Sequence, residues 1–113
     1  MQNPAKLGVF AEAEEVAEEV YGLTRTFPSD ERFGLTQQMR RAAISIGSNI
    51  AEGCGRSGAR DLTRFLDIAP GSACELQFQL RVARRLGYLD ERAHGSVSAT
   101  VRRIGRMLVR LIL

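Results

Sequence analysis

A chain of 113 residues, 44% of them hydrophobic, has the length of one domain with a modest core and is too apolar to stay disordered. Its formal net charge is +3, from 16 basic and 13 acidic side chains, and it contains two Cys, one His and no Trp. That inventory excludes a disulfide framework and makes a His/Cys zinc site an unpromising reading. The longest apolar stretch, residues 107–113, is interrupted by Arg110 and is far too short to span a bilayer.

The first helix is predicted over about residues 4–26. Pro4 suits a first helical turn. Phe10, Ala13, Val16, Ala17, Val20, Tyr21 and Thr24 form one stripe at helical spacing, with Glu12, Glu14, Glu15, Glu18 and Glu19 away from it. Those acids are the wrong chemistry for a secretory leader, so none is expected, and a cytoplasmic protein with reduced thiols is. Phe27 precedes Pro28, which pushes it out of the α region and ends the helix. Residues 29–33 read as a short link with one turn of helix.

The second helix is predicted over about 35–52, with Met39, Ala42, Ala43, Ile46 and Ile50 as its apolar stripe and Gly53 as a left-handed cap. The third starts near 57–59 and runs to about Leu86, burying Leu62, Phe65, Leu66, Ala69, Ala73, Leu76, Leu80 and Ala83, with Gly87 as its cap. Pro70 lies in its middle, at a cost of about 3 kcal/mol in an undistorted helix. The pattern keeps phase on both sides, which predicts one helix kinked near 68–72 and not two helices. The fourth begins at Asp90, a good N-cap. Val97, Val101, Ile104, Leu108 and Leu111 continue it at coiled-coil-like spacing. No strand pattern competes. The expectation is a single all-α domain over residues 1–113: an antiparallel up-down-up-down four-helix bundle with a kinked third helix.

Charge is segregated along this framework. Residues 1–31 hold Lys6 and Arg25 against seven acidic side chains, a net of −5. Residues 32–113 hold 14 Arg and no Lys against six acidic side chains, a net of +8. Arg56, Arg60 and Arg64 recur on one side of the third helix, and Arg103, Arg106 and Arg110 on the fourth. Arg81, Arg84 and Arg85 form a third cluster. Guanidinium rows suit phosphate, and against the plainer reading of a solvated face the three clusters point to nucleic-acid contact, with Arg56, Arg60, Arg64, Arg103, Arg106 and Arg110 as the expected, salt-sensitive phosphate contacts. Aromatic residues are scarce, so sequence-specific reading of single strands is not expected.

Residues 53–58 spell G-x-G-x-x-G, but a dinucleotide loop must follow a strand, and here it follows a helix. A helix–helix connection is the plainer reading. Free N–H groups at the start of the third helix, with Arg56 and Arg60, offer a phosphate cradle as an intermediate one. Arg40, Arg41, Asn49, Glu52 and Glu75 are expected to form a polar network, with an Arg–Glu pair across the second and third helices. An enzyme using Glu52 and Glu75 as acid and base lacks a nucleophile, a neighbouring His or a metal cluster, so no enzyme and no cofactor are expected. Cys54 and Cys74 read as two small, partly buried thiols.

The run LTQQMRRAAISIGSNIAEG at 35–53, the run 65–80 and the tetrad 86–89 resemble, in order, the ribosomal-RNA (23S) intervening-sequence proteins, also called four helix bundle proteins. Matching positions include Arg40, Arg41, Ser45, Asn49, Glu52, Gly53, Ser72, Glu75, Gly87 and Tyr88. The resemblance implies an antiparallel bundle and a homo-oligomeric ring, typically a pentamer. Some members are encoded within intervening sequences of large-subunit ribosomal RNA genes. Related proteins serve diversity-generating retroelements, which implies RNA or DNA and a reverse transcriptase as partners, and no membrane. Many members carry Pro where this chain has Gly47, and a helix-compatible residue where it has Pro70, so the kink is expected to move from the second helix to the third. The reading is a non-enzymatic oligomeric scaffold that binds nucleic acid through its Arg-rich faces. The alternative is a protein–protein adaptor in which the acidic helix of one subunit neutralises the Arg rows of the next.

Overall fold

The computed structural model describes the backbone of residues 8–55 and 59–112 and the side chains of residues 8–53 and 68–110. Four α-helices account for nearly all of it: α1 (Gly8–Thr24), α2 (Leu35–Gly55), α3 (Ala59–Arg85) and α4 (Glu91–Ile112), with a 3₁₀ turn at Ser29–Glu31 between the first two. No strand occurs among the described residues.

Helix α1 buries Val9, Ala13, Val16, Val20 and Thr24. This stripe is narrower than the sequence predicts: Phe10 and Ala17 are half-buried and Tyr21 is exposed. The first two border the groove against α2, because α1 has neighbours on only two sides. At the C-terminal end the Thr24 hydroxyl donates to the Val20 carbonyl at 2.7 Å. The Phe27 N–H donates to the Thr24 carbonyl at 3.2 Å and turns the chain before Pro28.

Helix α2 starts where the Leu35 N–H, one of the orphan donors of a first turn, meets the Glu31 carboxylate at 3.1 Å. It buries Met39, Ala42, Ala43, Ile46 and Ile50. It does not stop at Gly53. That residue is buried within the helix, which continues to Gly55. Glycine permits a left-handed cap without requiring one, and a buried helical glycine equally suits close packing.

Helix α3 is continuous through Pro70. Its end is closed by a Schellman arrangement: Gly87 takes φ +80°, its N–H donates to Arg84 at 3.0 Å, and the Tyr88 N–H donates to Ala83 at 2.9 Å. Helix α4 opens with the Asp90 carboxylate accepting the Ala93 N–H at 2.8 Å, an N-cap bond. Val97, Val101, Ile104 and Leu108 form its buried seam.

Each helix packs on the ones before and after it, and α4 closes against α1. Contacts run in opposite order along the chain between α1 and α2 and between α3 and α4. Thr24 meets Arg40 while Ala13 lies against Gly47, Ser45 meets Ser72, Gln77 meets Ser98 while Arg84 meets Glu91, and Glu12 meets Arg103. This is the contact order of an antiparallel bundle. The shared core is aliphatic and rich in alanine: Ala13, Ala42, Ala43, Ala69, Ala73 and Ala83 are all buried, which lets the helices approach closely. Phe27 and Leu89 seal one end, where the Phe27 ring meets the Tyr88 ring at 5.2 Å.

Candidate nucleic-acid interface

Most of the exposed basic side chains among the described residues lie on α3 and α4. Arg81, Arg84 and Arg85 are exposed at the end of α3; Arg92, Arg102, Arg103, Arg106 and Arg110 are exposed along α4. The seam spacing of α4 dictates this, since turning Val97, Val101, Ile104 and Leu108 inward leaves the intervening arginines outside.

Their partners differ. Arg103 makes a two-pronged bond to Glu12 of α1, Nε to one carboxylate oxygen and Nη2 to the other, both at 3.0 Å. Hydrogen bonding to Glu12, reinforced by its charge, holds the Arg103 guanidinium above its ordinary pKa. The same acidic strip strains itself: partial burial, then repulsion from Glu15, pushes the Glu19 carboxyl up, with Arg103 acting in the other direction. Arg84 pairs with Glu91, and Arg102 donates to the Ser98 hydroxyl at 2.9 Å. Arg106 and Arg110, and equally Arg81, Arg85 and Arg92, make no ion pair among the described residues. Of the fourth-helix set predicted for phosphate, one member is therefore engaged within the chain and two are open. Arg56, and the side chains of Arg60 and Arg64, lie outside the described residues.

The predicted polar network divides. Arg40 turns to α1, where its Nε donates to the Thr24 hydroxyl at 2.9 Å and its guanidinium lies 4.6 Å from the Tyr21 ring centroid. Asn49 folds back on its own helix, donating to the Ser45 carbonyl at 2.8 Å and the Ser45 hydroxyl at 3.1 Å. Ser45 in turn shares a 2.9 Å hydrogen bond with Ser72. Arg41 and Glu75 line one cleft of about 380 Å³ with Gln38 and Ser45. Neither Arg40 nor Arg41 forms an ion pair with Glu75, which corrects that expected link. Arg40 is held toward α1 by its bonds to Thr24 and the Tyr21 carbonyl, and Arg41 and Glu75 stay exposed along the cleft. Glu52 is exposed on α2. Among the described residues, the hydroxyls of Ser45 and Ser72 join α2 to α3.

Among the polar links that escaped the sequence reading, three join distant parts of the chain through at least one uncharged partner. Gln77 and Ser98 exchange hydrogen bonds between α3 and α4, at 2.9 and 2.8 Å. Glu31 accepts from the Tyr88 hydroxyl at 2.8 Å across 57 positions of chain, and this bond, followed by burial, raises the Tyr88 pKa. Arg40 with Thr24 is the third. Each joins residues of ordinary type at large separation, a signal no local pattern carries. Cys74 is an exposed free thiol, against the expectation of partial burial, while the Cys54 side chain lies outside the described residues. The described residues contain no cluster of three or more metal-ligating side chains, and no helix among them is long and apolar enough to cross a membrane.

Comparison with known proteins agrees with this architecture. The family model of the 23S rRNA-intervening sequence protein matches residues 5–110. Among solved structures, a protein of unknown function from the S23 ribosomal protein family of Bacteroides thetaiotaomicron superposes with a TM-score of 0.82 at 24% identity, over 92% of this chain and 97% of that one. At that identity the likeness speaks for the fold alone. No curated protein matches the chain.

Proposed function

Because the chain belongs to the family of 23S rRNA-intervening sequence proteins, we propose that it is a non-enzymatic, self-associating helical scaffold that binds nucleic-acid phosphates through the arginines of α3 and α4. The observation that carries this reading is the unequal satisfaction of the basic face. The acidic helix α1 engages Arg103, yet Arg106 and Arg110 on the same side chain row remain exposed and unpaired among the described residues. Planar, fully charged guanidinium groups kept in water on a rigid helix are suited to phosphate. The assembly fitting the reading is a homo-oligomer, with a pentameric ring as its expected form.

The test is binding of a structured RNA and of duplex DNA across a salt series. Affinity falling steeply with salt, with a slope of about −0.9 per phosphate contact on a duplex, supports the proposal. The Arg106→Ala/Arg110→Ala variant is expected to bind more weakly and to flatten that slope by about two. A second reading, a protein–protein adaptor, draws support from one observation: Glu12 of α1 pairs with Arg103 of α4 within the chain, and Glu14, Glu15 and Glu18 are exposed. Absence of binding at low salt would put the adaptor first.

A further inference from the structure

The end of the bundle between α1 and α2 carries a feature that the fold does not require. Phe33, in the turn before α2, is 77% exposed, and Tyr21 beside it is 38% exposed. A large aromatic side chain left in water on a short turn contributes nothing to the core, and such exposure is the informative exception to burial. The two rings border an open groove of about 570 Å³ that is also lined by Arg32, Gln37, Arg40 and Arg41, with no carboxylate among its lining residues.

The groove is built to hold its shape. The Arg32 guanidinium lies 4.8 Å from the Phe33 ring centroid, and that of Arg40 lies 4.6 Å from the Tyr21 centroid. Arg40 is fixed further by its bonds to Thr24 and to the Tyr21 carbonyl. The turn that presents Phe33 is pinned by Glu31, which accepts from both the Leu35 N–H and the Tyr88 hydroxyl. A Cβ at Gly34 would come within 2.8 Å of that carboxylate, so a larger residue after Phe33 would have to shift it from its bonds. Glu31 thus directs its charge into the turn, and Glu75 shares the neighbouring cleft with Arg41. Arg32 and Arg41, both exposed and without an ion pair among the described residues, are the free cations of the set.

We propose that this groove is a docking site for single-stranded nucleic acid, with one base stacked on Phe33 and the adjoining phosphates on Arg41 and Arg32. The inference rests on the nucleic-acid reading above and adds a second, chemically different site to it. Guanidinium groups without carboxylates select an anion, and exposed rings select a partner with a flat π face; a nucleotide strand supplies both. The volume lies within the roughly 300–1,000 Å³ of ordinary ligand sites. A duplex keeps its internal bases stacked and offers a free π face only at its two ends, so it presents far fewer bases to Phe33 than a single strand does. The acidic face of α1 from a second copy offers carboxylates for the guanidinium groups but supplies no matching flat π face for Phe33 from its glutamates. Stacking of this kind is tolerant of sequence.

The experiment measures anisotropy of a fluorescein-labelled oligouridylate and of a blunt RNA duplex, at fixed salt and across a salt series, with sedimentation velocity on each variant. Phe33→Ala is expected to weaken oligouridylate binding about five- to tenfold, while duplex affinity and the salt slope stay unchanged. Phe33→Trp restores binding. Arg41→Ala weakens it and lowers the slope by about one. Phe33 lies outside the core, so these variants should keep the parent circular dichroism spectrum. Parental oligouridylate affinity in Phe33→Ala, with Arg106→Ala/Arg110→Ala still weakened on duplex, overturns the groove and leaves the phosphate face standing. Failure of the parent protein to bind either probe overturns both. A sedimentation change in Phe33→Ala or Arg41→Ala without a change in oligouridylate affinity makes the groove a contact between copies, and overturns the inference as well.

Discussion

Glu31 illustrates how much one side chain decides here. Half-buried in the turn before α2, it caps the Leu35 N–H and holds the Tyr88 hydroxyl, so it ties the α1–α2 corner to the α3–α4 corner. Hydrogen bonds to a charged group contribute about 1.5–3 kcal/mol each when well formed, less where water competes. Glu31→Ala is expected to destabilise the protein by about 1–2 kcal/mol, read as a shift of the urea midpoint at unchanged slope. Glu19 acts in the opposite sense. Partial burial raises its carboxyl pKa above the unfolded value, so the folded state holds the proton more tightly. Its contribution to stability is therefore greatest in acid, falls as pH rises from the ordinary carboxylate value through the raised one, and leaves a constant penalty above that. Glu19→Gln removes this dependence. The variant is expected to be more stable than the parent at neutral pH, with the difference shrinking toward zero below the ordinary carboxylate value, in unfolding curves collected from acid to neutral pH.

The helices differ in how their ends are made, and two glycines separate the effects. Gly87 sits at φ +80°, where a Cβ is strained whatever space surrounds it. Gly87→Ala is expected to cost about 1–2 kcal/mol through the left-handed conformation, with loss of the Schellman bonds that close α3. Gly47 lies inside α2 with ordinary helical geometry, and a Cβ there would meet Ala13 Cβ at 3.6 Å, normal contact. Gly47→Ala is expected to stabilise by about 0.5–1 kcal/mol, because it restricts the unfolded chain and improves helix propensity. Thermal unfolding of both variants checks the opposite signs; a loss of stability in Gly47→Ala would mean that the α1–α2 groove needs the bare backbone.

At the scale of the molecule, the dominant feature is that charge segregated along the chain becomes charge segregated in space. Five glutamates of α1 face outward or toward α4, where Glu12 neutralises Arg103. That bond takes one guanidinium out of play. If the α4 row binds phosphate, Glu12→Gln frees Arg103 and removes a repulsive carboxylate, so nucleic-acid affinity is expected to rise and the salt slope to steepen by about one. A salt series with the same RNA checks it, and affinity at or below the parent value would place α1 away from the bound strand. The aliphatic seam of Met39, Ile46, Ile50, Leu76, Leu80, Ile104 and Leu108 supplies the rigidity that keeps these faces apart.

The helical framework was legible in the sequence because it rests on local physics. Apolar positions recur at three and four, Pro28 stops α1, Asp90 caps the start of α4 and Gly87 closes α3, and each effect acts within a turn or two of chain. Family membership was legible for the same reason, in ordered runs such as 35–53. The partners of polar side chains were not. Arg40 chose Thr24 and Tyr21 over Glu75, Arg103 chose Glu12, and Tyr88 found Glu31, because these pairings depend on which faces of which helices meet. Gly53 was misread as a cap because a glycine can turn a chain or be buried within a helix, and only its surroundings choose. Periodicity specifies which side of each helix leaves water; the packing of four helices then decides which charges are satisfied, which remain open, and that Phe33 stands exposed beside them.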